Sequence, residues 1–208
     1  MVLRTCLYTE ERLSTLEMEQ GHYLDINSLL SLLGDPNRSQ FWTMIHDHKT
    51  RFITAQGSSH NHQAWEGGYL DHVAETMNIA CRLYQTLNAA RRLPFELEEA
   101  LEVMFLHDIE KPFKEGGFLI DTDGNKVEAT KANRKGFRRN LITKYGIRLT
   151  EEQDNALEYV EGVPDSQYTP GERTMGELAA FCHCCDIASA RLWHDKGHEV
   201  RGGSTSWE

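Results

Sequence analysis

Residues 69–91 read YLDHVAETMNIACRLYQTLNAAR, and this stretch decides the fold. Its apolar side chains recur every three or four positions, at Leu70, Val73, Met77, Ala80, Leu83, Tyr84 and Leu87. Residues with this spacing lie on one side of an α-helix and form a continuous apolar face. The pattern therefore predicts a long helix that packs this face against other parts of the chain.

Most of the remaining sequence also carries helical signals. Gly34 and Pro36 end one short predicted helix, and Pro112 ends another, because the residue before a proline is driven out of helical dihedrals. The predicted helices span 9–19, 25–33, 37–53, 69–91, 94–111, 130–145, 150–161 and 174–194. Residues 118–128 instead predict a β-hairpin, with FLID and KVE around an Asp-Gly turn. The expected fold class is all-α with one small β-hairpin insertion.

Composition restricts the class of protein. Of the 208 residues, 39% are hydrophobic and 26% are charged, which is typical of a globular chain. No apolar stretch approaches the roughly 18 residues of a transmembrane helix, and the first residues lack the pattern of a signal peptide. Five cysteines are an odd number and do not suggest a disulfide framework. We therefore expect a cytoplasmic protein with no membrane partner.

Four residues with metal-binding side chains stand out on three predicted helices. They are His72 in the long helix, His107 and Asp108 at the end of the next, and Asp186 in the last. At a helix end, two consecutive side chains can turn toward one point, because the helix no longer holds them about 100° apart. Helical bundles build metal sites from side chains on facing helices. Two imidazoles and two carboxylates suit a divalent Mn, Co, Ni, Fe, Zn or Mg ion, although a solitary buried histidine is more often a hydrogen-bonded core residue.

Three motifs, taken in order, carry a resemblance to a known family. Residues 61–72, NHQAWEGGYLDH, are similar to the entry motif of HD-domain proteins, in which NHH, an aromatic residue, GG and an acidic-His pair precede a long helix. Residues 106–112, LHDIEKP, resemble the family's Leu-His-Asp-Ile-Gly-Lys box. Residues 183–189, HCCDIAS, resemble its closing His-x-Ala-Asp segment. The chain thus resembles the HD-domain metal-dependent phosphohydrolases.

The resemblance implies an HD-domain helical bundle over residues 55–195. We expect a helical extension over 1–54 packed on this bundle and a flexible tail over 196–208. The resemblance further implies that His72, His107, Asp108 and Asp186 bind a divalent metal ion. The implied activity is hydrolysis of phosphate esters or anhydrides, by attack of metal-activated water on phosphorus.

Departures from the family pattern carry expectations of their own. Gln63 stands where the entry motif has its second histidine, which puts a second metal ion in doubt. Glu110 replaces the usual glycine and either alters access of the phosphate or supplies an acid/base group. Lys111 is suited to bind a non-bridging phosphate oxygen. His62 is a candidate general acid; a ligand-orienting donor, an added metal ligand and an ordinary polar loop residue are the alternatives.

A basic stretch is a second candidate for substrate contact. Residues 130–144 hold six basic residues and no acidic one. Lys131, Arg134, Lys135 and Arg138 follow one another at helical steps, and together they would attract a polyphosphate tail or a short nucleic-acid strand. A solvated helix face paired with acidic neighbours is the equally weighted alternative. Arg173, in the loop before the last helix, is a further candidate for substrate binding.

Three functions are consistent with these features. The leading expectation is an enzyme that cleaves a nucleotide or related small phosphate: a nucleotidase, a nucleoside triphosphate hydrolase or a cyclic-nucleotide phosphodiesterase. A formal net charge of −10 weighs against an extended nucleic-acid surface. The alternatives are a 3′-end nuclease acting on single-stranded nucleic acid and a non-catalytic nucleotide-binding HD module. Association into a homodimer is a further expectation.

Overall fold

The computed structural model of this chain describes residues 23–58, 63–164, 167 and 169–192. Within these ranges the α-helices are α1 (Ile26–Ser31), α2 (Asn37–Asp47), α3 (Lys49–Thr54), α4 (Gly68–Ala90), α5 (Leu97–Leu106), α6 (Lys131–Lys144), α7 (Glu151–Tyr159) and α8 (Glu177–Leu192). The strands are β1 (Lys114–Glu115), β2 (Phe118–Ile120) and β3 (Lys126–Glu128), and a 3-10 turn covers Lys111–Phe113. The fold is mostly helical, as predicted. The predicted helix over 9–19 and the predicted tail over 196–208 lie outside the described residues.

Helix α4 is the central element of the fold. It packs against α1, α3, α5 and α8, and the apolar face predicted for it is buried around Val73 and Met77. Leu87, near the end of the helix, is instead exposed. With 23 residues, α4 is long, yet none of the helices in the described ranges combines the length and apolar character that a membrane span requires.

The segment before α4 belongs to the same hydrophobic core as the later helices. The Phe41 ring of α2 stacks on Phe105 of α5, with 4.4 Å between the ring centroids. The Asn78 side chain of α4 accepts a hydrogen bond from the backbone N–H of Leu24 and donates one to its carbonyl, both at 2.8 Å. Residues 23–54 are therefore packed on the core formed by the later helices.

The helix predicted over 37–53 is divided in two. His48 has a non-helical backbone (φ −124°, ψ 27°), and α2 ends before it while α3 begins after it. Its ring contacts Phe113 edge-on at 4.9 Å between centroids, and its Nε2 is hydrogen-bonded to the Tyr145 hydroxyl at 2.9 Å. The change of direction lets Phe52 of α3 pack against the Tyr69 ring at 5.8 Å. Contacts distant in sequence therefore override the local helical preference.

The predicted hairpin is part of a three-stranded antiparallel sheet in the order β1-β2-β3. The predicted pair is β2 and β3, with Phe118 opposite Glu128. The additional strand β1 has only two residues, too few for an alternating pattern in the sequence. Gly116 and Gly117 connect β1 to β2 with φ values of 54° and 87°, a combination that non-glycine residues rarely adopt.

A buried polar cluster connects three parts of the chain. The Glu102 carboxylate of α5 accepts hydrogen bonds from the Asn37 amide at 2.7 Å and from the Gln153 amide at 2.6 Å. Asn37 also bonds to the backbone of Arg148 in both directions. Burial raises the pKa of Glu102 to about 7, even though the two amide hydrogen bonds oppose the shift. The folded chain therefore favours the protonated form of this carboxyl group.

We expect the Glu102 carboxyl group to make the free energy of unfolding fall as the pH rises. Its pKa in the folded chain lies above the value of about 4.3 expected in the unfolded chain. Its contribution to stability is complete below that lower value and is lost as the pH rises through about 7. Urea unfolding between about pH 5 and pH 8 should show a loss on the order of 2–3 kcal/mol from this group.

Glu102→Gln, which stays neutral throughout, should remove that part of the pH dependence. Glu128→Gln, at an exposed position of β3, provides a matched control that should keep it. An unchanged pH dependence in Glu102→Gln would contradict the assignment.

Candidate functional site

The four predicted metal-binding side chains meet at one point between three helices. His72 comes from α4, His107 and Asp108 follow the end of α5, and Asp186 comes from α8. The two Nε2 atoms are 3.1 Å apart, Asp186 Oδ1 lies 3.3 and 3.6 Å from them, and Asp108 Oδ2 lies 3.6 and 3.4 Å from them. The two imidazoles are buried, with exposed fractions of 0% and 2%.

The end of α5 explains how adjacent residues reach the same point. The last helical residue is Leu106, and His107 caps the helix, donating its backbone N–H to Val103. The chain then turns through Asp108 toward the 3-10 turn that contains Pro112. Because α5 packs against both α4 and α8, this turn lies next to His72 of α4 and Asp186 of α8. This is the arrangement predicted for an adjacent His-Asp pair at a helix end.

Hydrogen bonds on the far side of each imidazole leave both Nε2 atoms directed at the centre. His107 donates its Nδ1 proton to the Met104 carbonyl at 2.7 Å. His72 Nδ1 lies 3.1 Å from the Ser189 hydroxyl oxygen, and that hydroxyl gives its own proton to Glu75 at 2.6 Å. Two nitrogen lone pairs therefore face each other at 3.1 Å, which requires a proton or a cation between them.

The pKa values of the two histidines agree with one shared positive charge. Burial lowers the pKa of His72 to about 4. Burial also acts to lower the pKa of His107, but Asp108 and Asp186 outweigh it and raise this pKa to about 10. In the absence of a metal ion, His107 carries the proton and His72 accepts it.

Both carboxyl groups of the centre are held in the ionised form. Burial would raise the pKa of Asp108, but Lys111 and His107 lower it well below its usual value, and the Lys111 Nζ lies 2.5 Å from Asp108 Oδ2. Burial would likewise raise the pKa of Asp186, and its hydrogen bonds with His107 and His72 lower it instead. Two anionic oxygens are thus available to a cation.

This donor set fits a divalent metal ion. The group formed by His72, His107 and Asp186 offers one ligand atom each within 4.8 Å of one another, and Asp108 lies within 3.6 Å of both imidazoles. Tetrahedral ligands bound at about 2.0–2.2 Å are roughly 3.4 Å apart. The distances from each carboxylate oxygen to the two imidazole nitrogens, 3.3, 3.4, 3.6 and 3.6 Å, are close to this value. A cation with these four ligands would replace the proton between the two imidazoles and balance two carboxylates.

A cavity of about 800 Å³ opens onto this centre. Its wall contains His107, Asp108 and Asp186, together with five cationic side chains: Arg51, Lys111, Lys114, Arg134 and Arg191. Two buried polar atoms on the wall have no hydrogen-bond partner among the described residues, namely Arg134 Nε and Glu110 Oε1. The same wall carries five carboxylates, at Asp108, Glu110, Glu115, Glu161 and Asp186, so its formal charges cancel, whereas the whole chain has a net charge of −10. A bound divalent cation would make this wall positive and attractive to anions.

Glu110 and Arg138 form a buried ion pair behind the cavity. Arg138 Nη2 lies 3.3 Å from Glu110 Oε2, and Arg138 Nη1 donates to the Leu157 carbonyl. The exposed fraction of Arg138, predicted as a substrate-binding residue, is only 5%. Burial raises the pKa of Glu110, since the opposing effect of Arg138 does not fully compensate for it. Arg138 therefore faces Glu110 rather than the cavity.

The predicted basic face of α6 is paired with acidic residues. Lys131 lies 3.6 Å from Glu161, and Lys135 lies 2.5 Å from Glu158. Arg173 is exposed and bonded to Glu177 at 3.0 Å, outside the cavity wall. Among the described residues predicted to contact substrate, Lys111 and Arg134 line the cavity beside the metal-binding centre, whereas Lys131, Lys135, Arg138 and Arg173 do not. His62, the other predicted catalytic residue, lies outside the described residues.

Several residues of the site were missed in the sequence. His183 lines the cavity one helical turn before Asp186, and its Nδ1 donates to the Val160 carbonyl at 2.6 Å. Its three-residue spacing from Asp186 was a usable signal, because such residues share one side of a helix. Arg51 stacks over the Phe113 ring and reaches the cavity from α3, and no local pattern distinguishes it from a surface arginine.

Comparison of the chain with models of protein families, with curated proteins and with solved structures finds no match in any of the three. The resemblance to HD-domain phosphohydrolases therefore stays a prediction from three sequence motifs. What the structure contributes is a mostly helical fold and a buried histidine and aspartate cluster that could hold a metal ion.

Proposed function

We propose that this chain is a metal-dependent phosphohydrolase of the HD-domain type, acting on a nucleotide or a related small phosphate ester or anhydride. The observation that carries the proposal is a pair of buried imidazoles whose Nε2 atoms lie 3.1 Å apart, each within 3.6 Å of an oxygen of Asp108 and an oxygen of Asp186. They lie beside a cavity whose wall includes Lys111 and Arg134. A bound divalent cation supplies a Lewis acid that polarises a phosphoryl oxygen and lowers the pKa of water.

Two cationic side chains are placed to bind the phosphoryl group. Lys111 lines the cavity, and its ammonium group has three N–H donors. One of them is directed at Asp108, whose Oδ2 lies 2.5 Å from the Lys111 Nζ. Its remaining donors can bind a non-bridging oxygen beside the metal-binding centre. Arg134 brings a buried Nε–H that lacks an acceptor among the described residues, and a second phosphoryl oxygen would supply one. Both contacts compensate negative charge as the phosphoryl group is transferred.

Glu110 is suited to hold a proton for the leaving oxygen. Arg138 occupies its Oε2, whereas its Oε1 is buried on the cavity wall and lacks a partner among the described residues. Burial raises the pKa of this carboxyl group, which makes it easier to protonate at Oε1 while Oε2 keeps its contact with Arg138. We therefore assign Glu110 the acid role and Arg138 the role of fixing its orientation.

The charges around the cavity favour a small substrate. Lys131, Lys135 and Arg138 each have a carboxylate partner, so the basic face that would attract a nucleic-acid strand is largely neutralised. A cavity of about 800 Å³ is within the size range of sites for small molecules. The presence of all four metal-binding residues with Lys111 favours an enzyme over a non-catalytic binding module.

We expect the purified wild-type chain to take up one divalent ion and to release phosphate or a nucleoside phosphate in the presence of Mn²⁺ or Co²⁺. Asp108→Asn and Asp186→Asn each remove an anionic ligand, and each should lower the bound metal and reduce kcat by at least about 100-fold. Elemental analysis and a panel of nucleotides, cyclic nucleotides and short oligonucleotides measure both effects.

Asp123→Asn, in the loop between β2 and β3, removes the same charge away from the cavity and should leave metal content and activity unchanged. Hydrolysis that survives in both ligand variants would contradict the proposal. Cleavage of oligonucleotides without cleavage of free nucleotides would instead support the nuclease alternative.

We expect Glu110→Gln to lower kcat by about 100-fold for substrates with an alkoxide leaving group, with little change in KM. The loss should nearly disappear for a 4-nitrophenyl phosphate ester, whose leaving group needs no proton. Glu115→Gln changes another carboxyl group on the same cavity wall and should affect neither substrate. Equal losses of kcat for both leaving groups in Glu110→Gln would rule out the acid role.

A further inference from the structure

A row of buried polar side chains lies behind His72, on the side away from the metal-binding centre. Ser189 of α8 lies 3.1 Å from His72 Nδ1, and its hydroxyl donates to Glu75 Oε2 at 2.6 Å. The Gln63 amide donates to the same Glu75 oxygen at 2.6 Å. Ser189 and Gln63 have no exposed surface, and Glu75 is 2% exposed. The hydrolysis proposed above uses none of these three residues.

The protons of this row can be assigned from its hydrogen bonds. Ser189 has one hydroxyl proton, and Glu75 receives it, so the Ser189 oxygen is an acceptor toward His72. His72 must therefore carry its ring proton on Nδ1 and present a bare Nε2 on the other side. Gln63 adds a second donor to Glu75 and holds its carboxylate in place.

The position of His72 within α4 explains why a side chain, and not a backbone carbonyl, accepts its Nδ1 proton. His107 stands at the end of α5 and donates its Nδ1 proton to the Met104 carbonyl. His72 lies inside α4, where the backbone carbonyls accept the N–H groups of the following turn. A facing helix must then supply the acceptor, and α8 does so through Ser189.

Helical spacing places Glu75 beside His72 on α4 and Ser189 beside Asp186 on α8. Glu75 lies three residues after His72 on α4, and Ser189 lies three residues after Asp186 on α8. Residues three apart share one side of a helix, so two of the three helices that supply candidate ligands, α4 and α8, also supply the groups behind His72. The packing of α4 against α8 therefore brings together both the metal-binding side chains and the polar side chains behind His72.

We propose that Ser189 and Glu75 are positioning residues that hold His72 in the tautomer able to bind a metal ion through Nε2, with Gln63 fixing Glu75. The inference rests on the metal-binding centre of the proposed function and is independent of the substrate. A carboxylate that acts through a hydrogen bond on a ligating imidazole fixes its orientation and raises its basicity.

The tautomer can be measured directly in the metal-free chain. Two-bond ¹H–¹⁵N correlation spectra of protein labelled at histidine nitrogen should show His72 protonated at Nδ1 in the wild type. Ser189→Ala removes the acceptor of this proton, so the His72 Nδ1 proton resonance should shift upfield and the proton should exchange faster with solvent. Thr76→Val should keep the wild-type signal, which separates the loss of this acceptor from a general loss of packing.

Titration with Co²⁺ measures the consequence for metal binding. Ser189→Ala should weaken Co²⁺ affinity by about 10–100-fold, as expected for loss of a group that orients a ligand. Glu75→Gln keeps an acceptor for Ser189 but removes the negative charge of the side chain. Its Co²⁺ affinity should therefore fall less than that of Ser189→Ala. Thr76→Val removes a buried hydroxyl that bonds only locally to the Val73 carbonyl, so it is a matched control with wild-type affinity.

The outcomes separate this inference from the proposed function. Wild-type Co²⁺ affinity in both Ser189→Ala and Glu75→Gln, with an unchanged His72 Nδ1 proton signal in Ser189→Ala, would overturn the positioning role. If Ser189→Ala does not fold, the affinity of Glu75→Gln decides the matter alone. A wild-type chain that binds Co²⁺ but hydrolyses no phosphate would refute the proposed function and leave the positioning role in place. A wild-type chain that binds no Co²⁺ would refute both.

Discussion

The candidate site depends on one electrostatic constraint: two imidazole nitrogens, each with its lone pair directed inward, lie 3.1 Å apart in a buried position beside two ionised carboxylates. Such an arrangement is unfavourable without positive charge at its centre. Packing of α4, α5 and α8 imposes it, because each helix contributes at least one of the four groups. The Lys111 contact with Asp108 and the raised pKa of His107 both follow from the same concentration of negative charge.

The sequence predicted those parts of the fold that depend on short-range order. The apolar spacing of residues 69–91 predicted α4 to within a residue at each end, and the His-Asp pair was placed correctly at the end of α5. The division of the helix over 37–53 was not predictable in this way, because His48 is held by Phe113 and Tyr145, far along the chain. Strand β1 was missed because two residues carry no periodicity.

The same distinction applies to the site. Residue type and motif order were enough to select four side chains that the folded chain brings together, at His72, His107, Asp108 and Asp186. They did not show that Arg138 is buried whereas its neighbours on α6 are more exposed. That burial depends on the packing of α6 against the turn after α5, where Arg138 contacts Glu110. Ser189 looked like an ordinary helical serine, and its position behind His72 emerges only when α4 and α8 are packed together.

Gly162 shows how far the constraints of the cavity wall extend. Its φ of 97° requires glycine, and a Cβ atom there would lie 3.3 Å from Cε1 of the His183 ring. Any larger residue in this surface turn would both strain the backbone and push an imidazole that faces the cavity. A loop position that looks free to vary is thus constrained both by its own backbone and by a side chain on α8.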